Sequence, residues 1–70
     1  MKLAIFGATG GTGRQLVEQA LEAGHAVTVL VRNPAAFSLQ HERLSPVEGD
    51  VRDRARVKAV VTGQDAILSA

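Results

Sequence analysis

A chain of 70 residues with 46% hydrophobic content and a net charge of +1 suits a soluble globular piece, although at this length only about 60% of the unfolded surface is buried on folding. The near-neutral balance offers no field for nucleic acid, and the only aromatic residues, Phe6 and Phe37, give bases nothing to stack on. Cysteine is absent, which excludes disulfides, thiolate metal sites and cysteine nucleophiles and suits a reducing, cytoplasmic setting.

The run Leu3-Ala4-Ile5-Phe6 lacks polar alternation and predicts a strand covered on both faces of a parallel sheet. It stops at Gly7, too soon for the apolar region of a signal peptide. The longest other apolar run, Ala26 to Val31 interrupted by Thr28, is too short for a membrane span, so no membrane partner is expected.

The glycines that follow are spaced Gly7-x-x-Gly10-x-x-Gly13. Between a strand and a helix this spacing predicts a dinucleotide phosphate cradle, the alternative being a plain glycine-rich turn. Gly7 turns the chain off the strand, Gly10 lets backbone approach a pyrophosphate, and Gly13 lets helix and strand pack closely. The helix N-terminus then meets the anion with free N–H groups and its positive dipole end, the Thr9 and Thr12 hydroxyls being extra donors beside Gly11. The G-x-G-x-x-G form fails because it needs glycine where Leu16 stands, and no Gly-Lys-Ser/Thr of a Walker loop occurs.

From Gly13, small or apolar residues at Leu16, Val17, Ala20, Leu21 and Gly24 follow helical spacing, with Arg14, Gln15, Glu18, Gln19 and Glu22 on the other face. Gly24 stands where a left-handed C-cap is needed. Ala26 to Val31 predicts the second strand, ending at Arg32, and Pro34 to Phe37 a single helical turn before a loop from Ser38 to Arg43. Leu44 to Glu48 predicts a third strand, placed at an edge because Pro46 lacks a ladder donor. Asp53 is the expected N-cap of a helix with Val57, Val60 and Val61 as its apolar stripe; Gly63 ends it, and Ala66 to Ala70 is a fourth strand. This alternation predicts an α/β, Rossmann-type doubly wound parallel sheet of order 3-2-1-4, with the cradle opening at the switch point.

In an NAD-binding unit an acidic residue about 20 positions beyond the glycines accepts from the ribose 2′-OH. Arg32 stands there instead, which favours NADP over NAD through charge-assisted bonds to a 2′-phosphate; the alternative is a plain exposed strand-end arginine. Asp50 and Val51, at the carboxyl end of the third strand, have two readings: they line the adenine pocket, or Asp50 only bonds backbone N–H groups ahead of the next helix. Arg52, Arg54, Arg56 and Lys58 are expected to spread around the outside of that helix as a solvated face. His25 and His41 lack partners at metal or triad spacing, so no metal site is expected and neither is given a role.

Gly7-Ala8-Thr9-Gly10-Gly11-Thr12-Gly13, Val27-Thr28-Val29-Leu30-Val31-Arg32, Gly49-Asp50-Val51 and Gly63-Gln64-Asp65-Ala66 together resemble the amino-terminal half of atypical short-chain dehydrogenase/reductases. The likeness extends over essentially the whole chain. It is closest to the biliverdin-IXβ reductase and flavin reductase group and to relatives similar to the nitrogen-metabolite-repression regulator. The resemblance implies that the glycine-loop positions hold the pyrophosphate, Arg32 meets the 2′-phosphate and Asp50-Val51 border the adenine. It also implies that residues 1–70 are the amino-terminal part of one NAD(P)-binding Rossmann domain, with the nicotinamide floor, substrate pocket and catalytic side chains beyond Ala70. These 70 residues alone are therefore expected to be inactive. The implied activity is NADPH-dependent hydride transfer to a small molecule such as a flavin, or another quinone-like or tetrapyrrole acceptor. A redox-sensing regulator without turnover, and a sugar-nucleotide epimerase or isoflavone-reductase-like enzyme, are the competing functions.

Overall fold

The computed structural model describes residues 1–7, 10–37 and 39–69. Strand β1 (Lys2–Phe6) leads through the glycine loop into helix α1 (Gly11–Glu22), then β2 (Ala26–Val31), a 3₁₀ turn (Pro34–Ala36), β3 (Leu44–Glu48), helix α2 (Arg54–Val61) and β4 (Ala66–Ser69). The strands form one sheet of order β3-β2-β1-β4. All three pairings are parallel, with Leu3 beside Val27 on one side and Ala66 on the other, and Val27 beside Leu44. Pro46 lies on the edge strand β3, where only one side of the backbone has a ladder to serve.

Alternation along the strands divides the core between two faces. Leu3 and Ile5 of β1 and Val27, Val29 and Val31 of β2 pack with Val17, Ala20 and Leu21 of α1. On the opposite face Ala4 and Leu30 pack with Val60 of α2, helped by the partly buried Phe6, Val47 and Val57. Each fully buried Ile or Val side chain contributes roughly 1.5–3 kcal/mol, so the α1 face, which has more of them, is the better-anchored side. Helices on opposite faces of a parallel sheet give the doubly wound arrangement that the apolar pattern predicts.

The helix ends follow local chemistry. Gly24 (φ 90°) supplies the left-handed residue after α1, where its N–H donates to the Leu21 carbonyl and that of His25 to the Ala20 carbonyl, each at 3.0 Å. Asp53 Oδ1 accepts from the Arg56 N–H at 3.1 Å, the expected N-cap of α2. Gly63, at φ 81°, turns the chain toward β4. There the Lys2 N–H donates to Asp65 Oδ2 and the Asp65 N–H to the Lys2 carbonyl, which aligns β4 beside β1.

Some details depart from the sequence reading. Helix α1 starts at Gly11, two residues before its apolar periodicity, because its first turn buries only Gly13. Arg52 lies in the turn before α2 and not on the helix face. His25 is half-buried, its Nδ1 3.1 Å from the Met1 amino group, and His41 Nδ1 accepts from the Arg43 N–H, so both serve local structure. Among the described residues no helix is long and apolar enough to cross a membrane.

Candidate cofactor cleft at the carboxyl ends of the strands

The carboxyl ends of β1, β2 and β3 enclose a cleft of about 400 Å³, within the range of small-molecule sites. Gly7 follows β1, Leu30 and Val31 end β2 with Arg32 and Asn33 just beyond it, and Gly49 to Val51 follow β3. This is the edge at which a doubly wound sheet takes ligands. Gly7, Arg32, Asp50 and Val51, expected from the sequence to act together, are brought to this one cavity. Val51 is 60% exposed despite being apolar, and so offers the cleft a hydrophobic contact.

Gly7 adopts φ 77°, a conformation that side chains with a Cβ rarely take. Gly10 is the N-cap of α1 at φ −80°, ψ 166°, with no side-chain cap hydrogen bond. That conformation is open to any residue. A Cβ built at Gly10 or Gly11 would meet none of the described atoms within 4 Å. Among the described residues neither backbone nor packing therefore requires glycine there, whereas close approach of a ligand would. Thr12 is exposed in the first helical turn, and Gly13 is buried in α1. No acidic residue occupies that turn, so the positive end of the helix is not offset by a carboxylate. Thr9 lies outside the described residues.

Asp50 does more than either reading of the sequence anticipates. It lines the cleft, and its Oδ1 also accepts from the Arg52 N–H at 2.9 Å, fixing the turn that precedes α2. The Arg52 guanidinium grips the same carboxylate at both oxygens, Nε to Oδ1 at 3.2 Å and Nη2 to Oδ2 at 2.8 Å. Arg32 approaches from β2, its Nε 3.6 Å from Oδ2, with a side chain 78% exposed. The hydrogen bonds from Arg52, side chain first and then backbone, with the charges of both arginines added, hold the Asp50 carboxyl well below the usual carboxylate range. The Arg52 guanidinium is correspondingly pushed up by Asp50.

Gly49 and Asn33 also line the cleft, although the sequence reading gave them no site role. A Cβ at Gly49 would sit 2.6 Å from Arg56 Cγ and 2.8 Å from Leu30 Cδ1, so close packing requires this glycine. Asn33 Oδ1 accepts from the Ala35 N–H and caps the 3₁₀ turn. The Asn-Pro pair that marks the turn was its sequence signal. Among the described residues no group of three or more His, Asp or Glu side chains could hold a metal ion.

A parallel doubly wound sheet with a glycine turn after its first strand and a cleft at its carboxyl edge defines a Rossmann-type nucleotide-binding unit. A sequence model of the family described as NAD(P)H-binding matches residues 7–70, and the chain belongs to that family. The photosystem II assembly factor Ycf39 of Guillardia theta is 54% identical over 71 residues, covering 100% of this chain and 23% of that protein. A solved structure of a proposed NADH-flavin reductase from Streptococcus pneumoniae superimposes with a TM-score of 0.77 at 36% identity, covering 100% of this chain and 30% of that one. The Bordetella bronchiseptica enzyme WbmH, solved in complex with NAD+, superimposes with a TM-score of 0.86 at 27% identity, covering 99% of this chain and 25% of that one. The chain spans 22 to 25% of the length of the curated relatives it matches.

Proposed function

We propose that residues 1–70 form the adenosine-binding part of a single Rossmann domain that takes NADP(H) in preference to NAD(H). The whole protein is then a cytoplasmic NADPH-dependent oxidoreductase of the flavin or biliverdin reductase kind. In this reading Gly7, Thr9, Gly10, Gly11, Thr12 and Gly13 hold the pyrophosphate, Asp50 and Val51 border the adenine, and Arg32 meets the 2′-phosphate. The bound nicotinamide supplies a hydride to a small acceptor, a flavin or another quinone-like or tetrapyrrole compound, and the protein's part is orientation. The observation that carries the reading is the exposed guanidinium of Arg32 at the cleft, where an NAD-binding unit would place a carboxylate. A charged hydrogen-bonded contact of this kind contributes roughly 1.5–3 kcal/mol, or ten- to a hundredfold in affinity.

Arg32→Asp is the direct test. It would repel the 2′-phosphate and accept from a free 2′-OH, so titration by NADPH and NADH fluorescence should give weaker NADPH and tighter NADH binding. An equal loss for both cofactors would overturn the assignment.

The 54% identity to an assembly factor favours a second reading, in which the protein binds the cofactor without turning it over and serves as a sensor or assembly component. An assay of NADPH oxidation with flavin on the whole protein separates the two: turnover supports the reductase, and tight binding without turnover supports the second reading.

A further inference from the structure

Asp50 poses an electrostatic problem for the cleft. A carboxylate beside Arg32 is positioned to take that guanidinium as its own counter-ion and to repel an incoming phosphate. The geometry resolves the conflict in one direction. Arg52 makes the two-point fork to Asp50 at 3.2 and 2.8 Å, and its backbone N–H adds a third bond at 2.9 Å. Arg32 reaches the same carboxylate only through Nε at 3.6 Å, too long for a hydrogen bond. Among the described residues its Nη groups have no hydrogen-bond partner.

We propose that Arg52 is a positioning residue for cofactor selectivity: by occupying Asp50 it leaves the Arg32 guanidinium free for the 2′-phosphate. The inference rests on the assignment of Arg32 made above. Arg52 is two residues beyond Asp50 and does not line the cleft, so it acts through Asp50 and not by touching the cofactor. Two arginines and one carboxylate leave one positive charge for the anion. Without Arg52, Asp50 and Arg32 neutralise each other.

The test is a double-mutant cycle read by calorimetric titration with 2′,5′-ADP and 5′-AMP, which differ only in the 2′-phosphate. Arg52→Gln is 80% exposed at the side chain being changed, so folding is not at stake. Asp50→Asn keeps the Oδ1 acceptor for the Arg52 N–H. In the Asp50 background, Arg52→Gln should lower the preference for 2′,5′-ADP over 5′-AMP by about tenfold, the worth of one weakened charged hydrogen bond. In the Asp50→Asn background the same change should leave the preference unaltered, because no carboxylate remains to capture Arg32. No effect in the first background would overturn the proposal. An equal fall in both would also overturn it, leaving Arg52 as a long-range charge. Arg32→Gln is measured alongside. If it leaves the preference intact, the assignment of Arg32 fails and the role of Arg52 with it; if it abolishes the preference, the cycle judges Arg52 alone.

Discussion

Glycines of the same residue type do different work in this chain, and the space around each Cβ position separates them. Gly49 is required by the protein itself, because Leu30 is buried and a methyl group at residue 49 would lie 2.8 Å from its Cδ1. Overpacking of this sort costs roughly 1–3 kcal/mol, so Gly49→Ala should lower the urea midpoint, and an unchanged midpoint would show that Arg56 and Leu30 move aside freely. Gly10 presents the opposite case. Its extended backbone accepts a β-branched residue, and no described atom lies within 4 Å of a Cβ there. Gly10→Val should therefore fold, with only the roughly 1 kcal/mol loss of a poor N-cap, yet lose nucleotide binding. Retained affinity in the folded variant would remove Gly10 from the site. The sequence assigned Gly10 to the cradle by its spacing but gave no sign that Gly49 is needed for packing, because the closeness of Leu30 and Arg56 to residue 49 exists only in the folded chain. The Asp50–Arg52 fork escaped sequence reading for a similar reason. Arg52 was placed among the basic residues of a solvated helix face, whereas the turn at Asp50 keeps it off the helix.

At the scale of the elements, boundaries were readable wherever the chain carries punctuation with a mechanism. Asn33-Pro34 opens the 3₁₀ turn, Gly24 and Gly63 close the helices with positive φ, and Asp53 starts α2. The start of α1 was less readable, because a first turn of Gly11, Thr12 and Gly13 carries no large side chain whose periodicity could mark it. The two helices also differ in how they are held. Helix α1 buries Gly13, Val17, Ala20 and Leu21, and Arg43 Nη2 donates to its Leu21 carbonyl at 2.8 Å. Helix α2 buries only Val60, so its N-cap carries a larger share of its stability. Asp53→Ala removes the acceptor for the Arg56 N–H, which typically costs about 1 kcal/mol. The expected readout is a lower urea midpoint, with Asp53→Asn close to the parent because asparagine caps equally well. If alanine and asparagine behave alike, the side-chain oxygen is not what holds the start of α2.

For the whole molecule, the sheet has a protected centre and unequal flanks. Strand β1 is paired on both sides and covered on both faces, with Ala4 and Ile5 wholly inaccessible, and β2 is likewise paired on both sides with Val27 and Val29 buried. Among the described residues strand β4 pairs only with β1, and its Ile67 and Leu68 are 52% and 37% exposed. Local opening costs least where few apolar contacts are lost and most where the core must separate. Native-state hydrogen exchange of residues 1–70 made alone should therefore rank the amides. Those of β1 and β2 should exchange through the global unfolding reaction, whereas those of β4 and α2 exchange through smaller openings, at rates less sensitive to denaturant. The cleft follows the protected side of this gradient, since the residues that line it leave β1, β2 and β3 and not β4. A nucleotide bound there should slow exchange at the strand ends around Gly7, Arg32 and Asp50, with β4 least affected. Protection of β4 equal to that of β1 in the free protein would contradict this ranking. It would mean that the contacts along one edge of β4, and not the burial of its side chains, decide how the sheet opens.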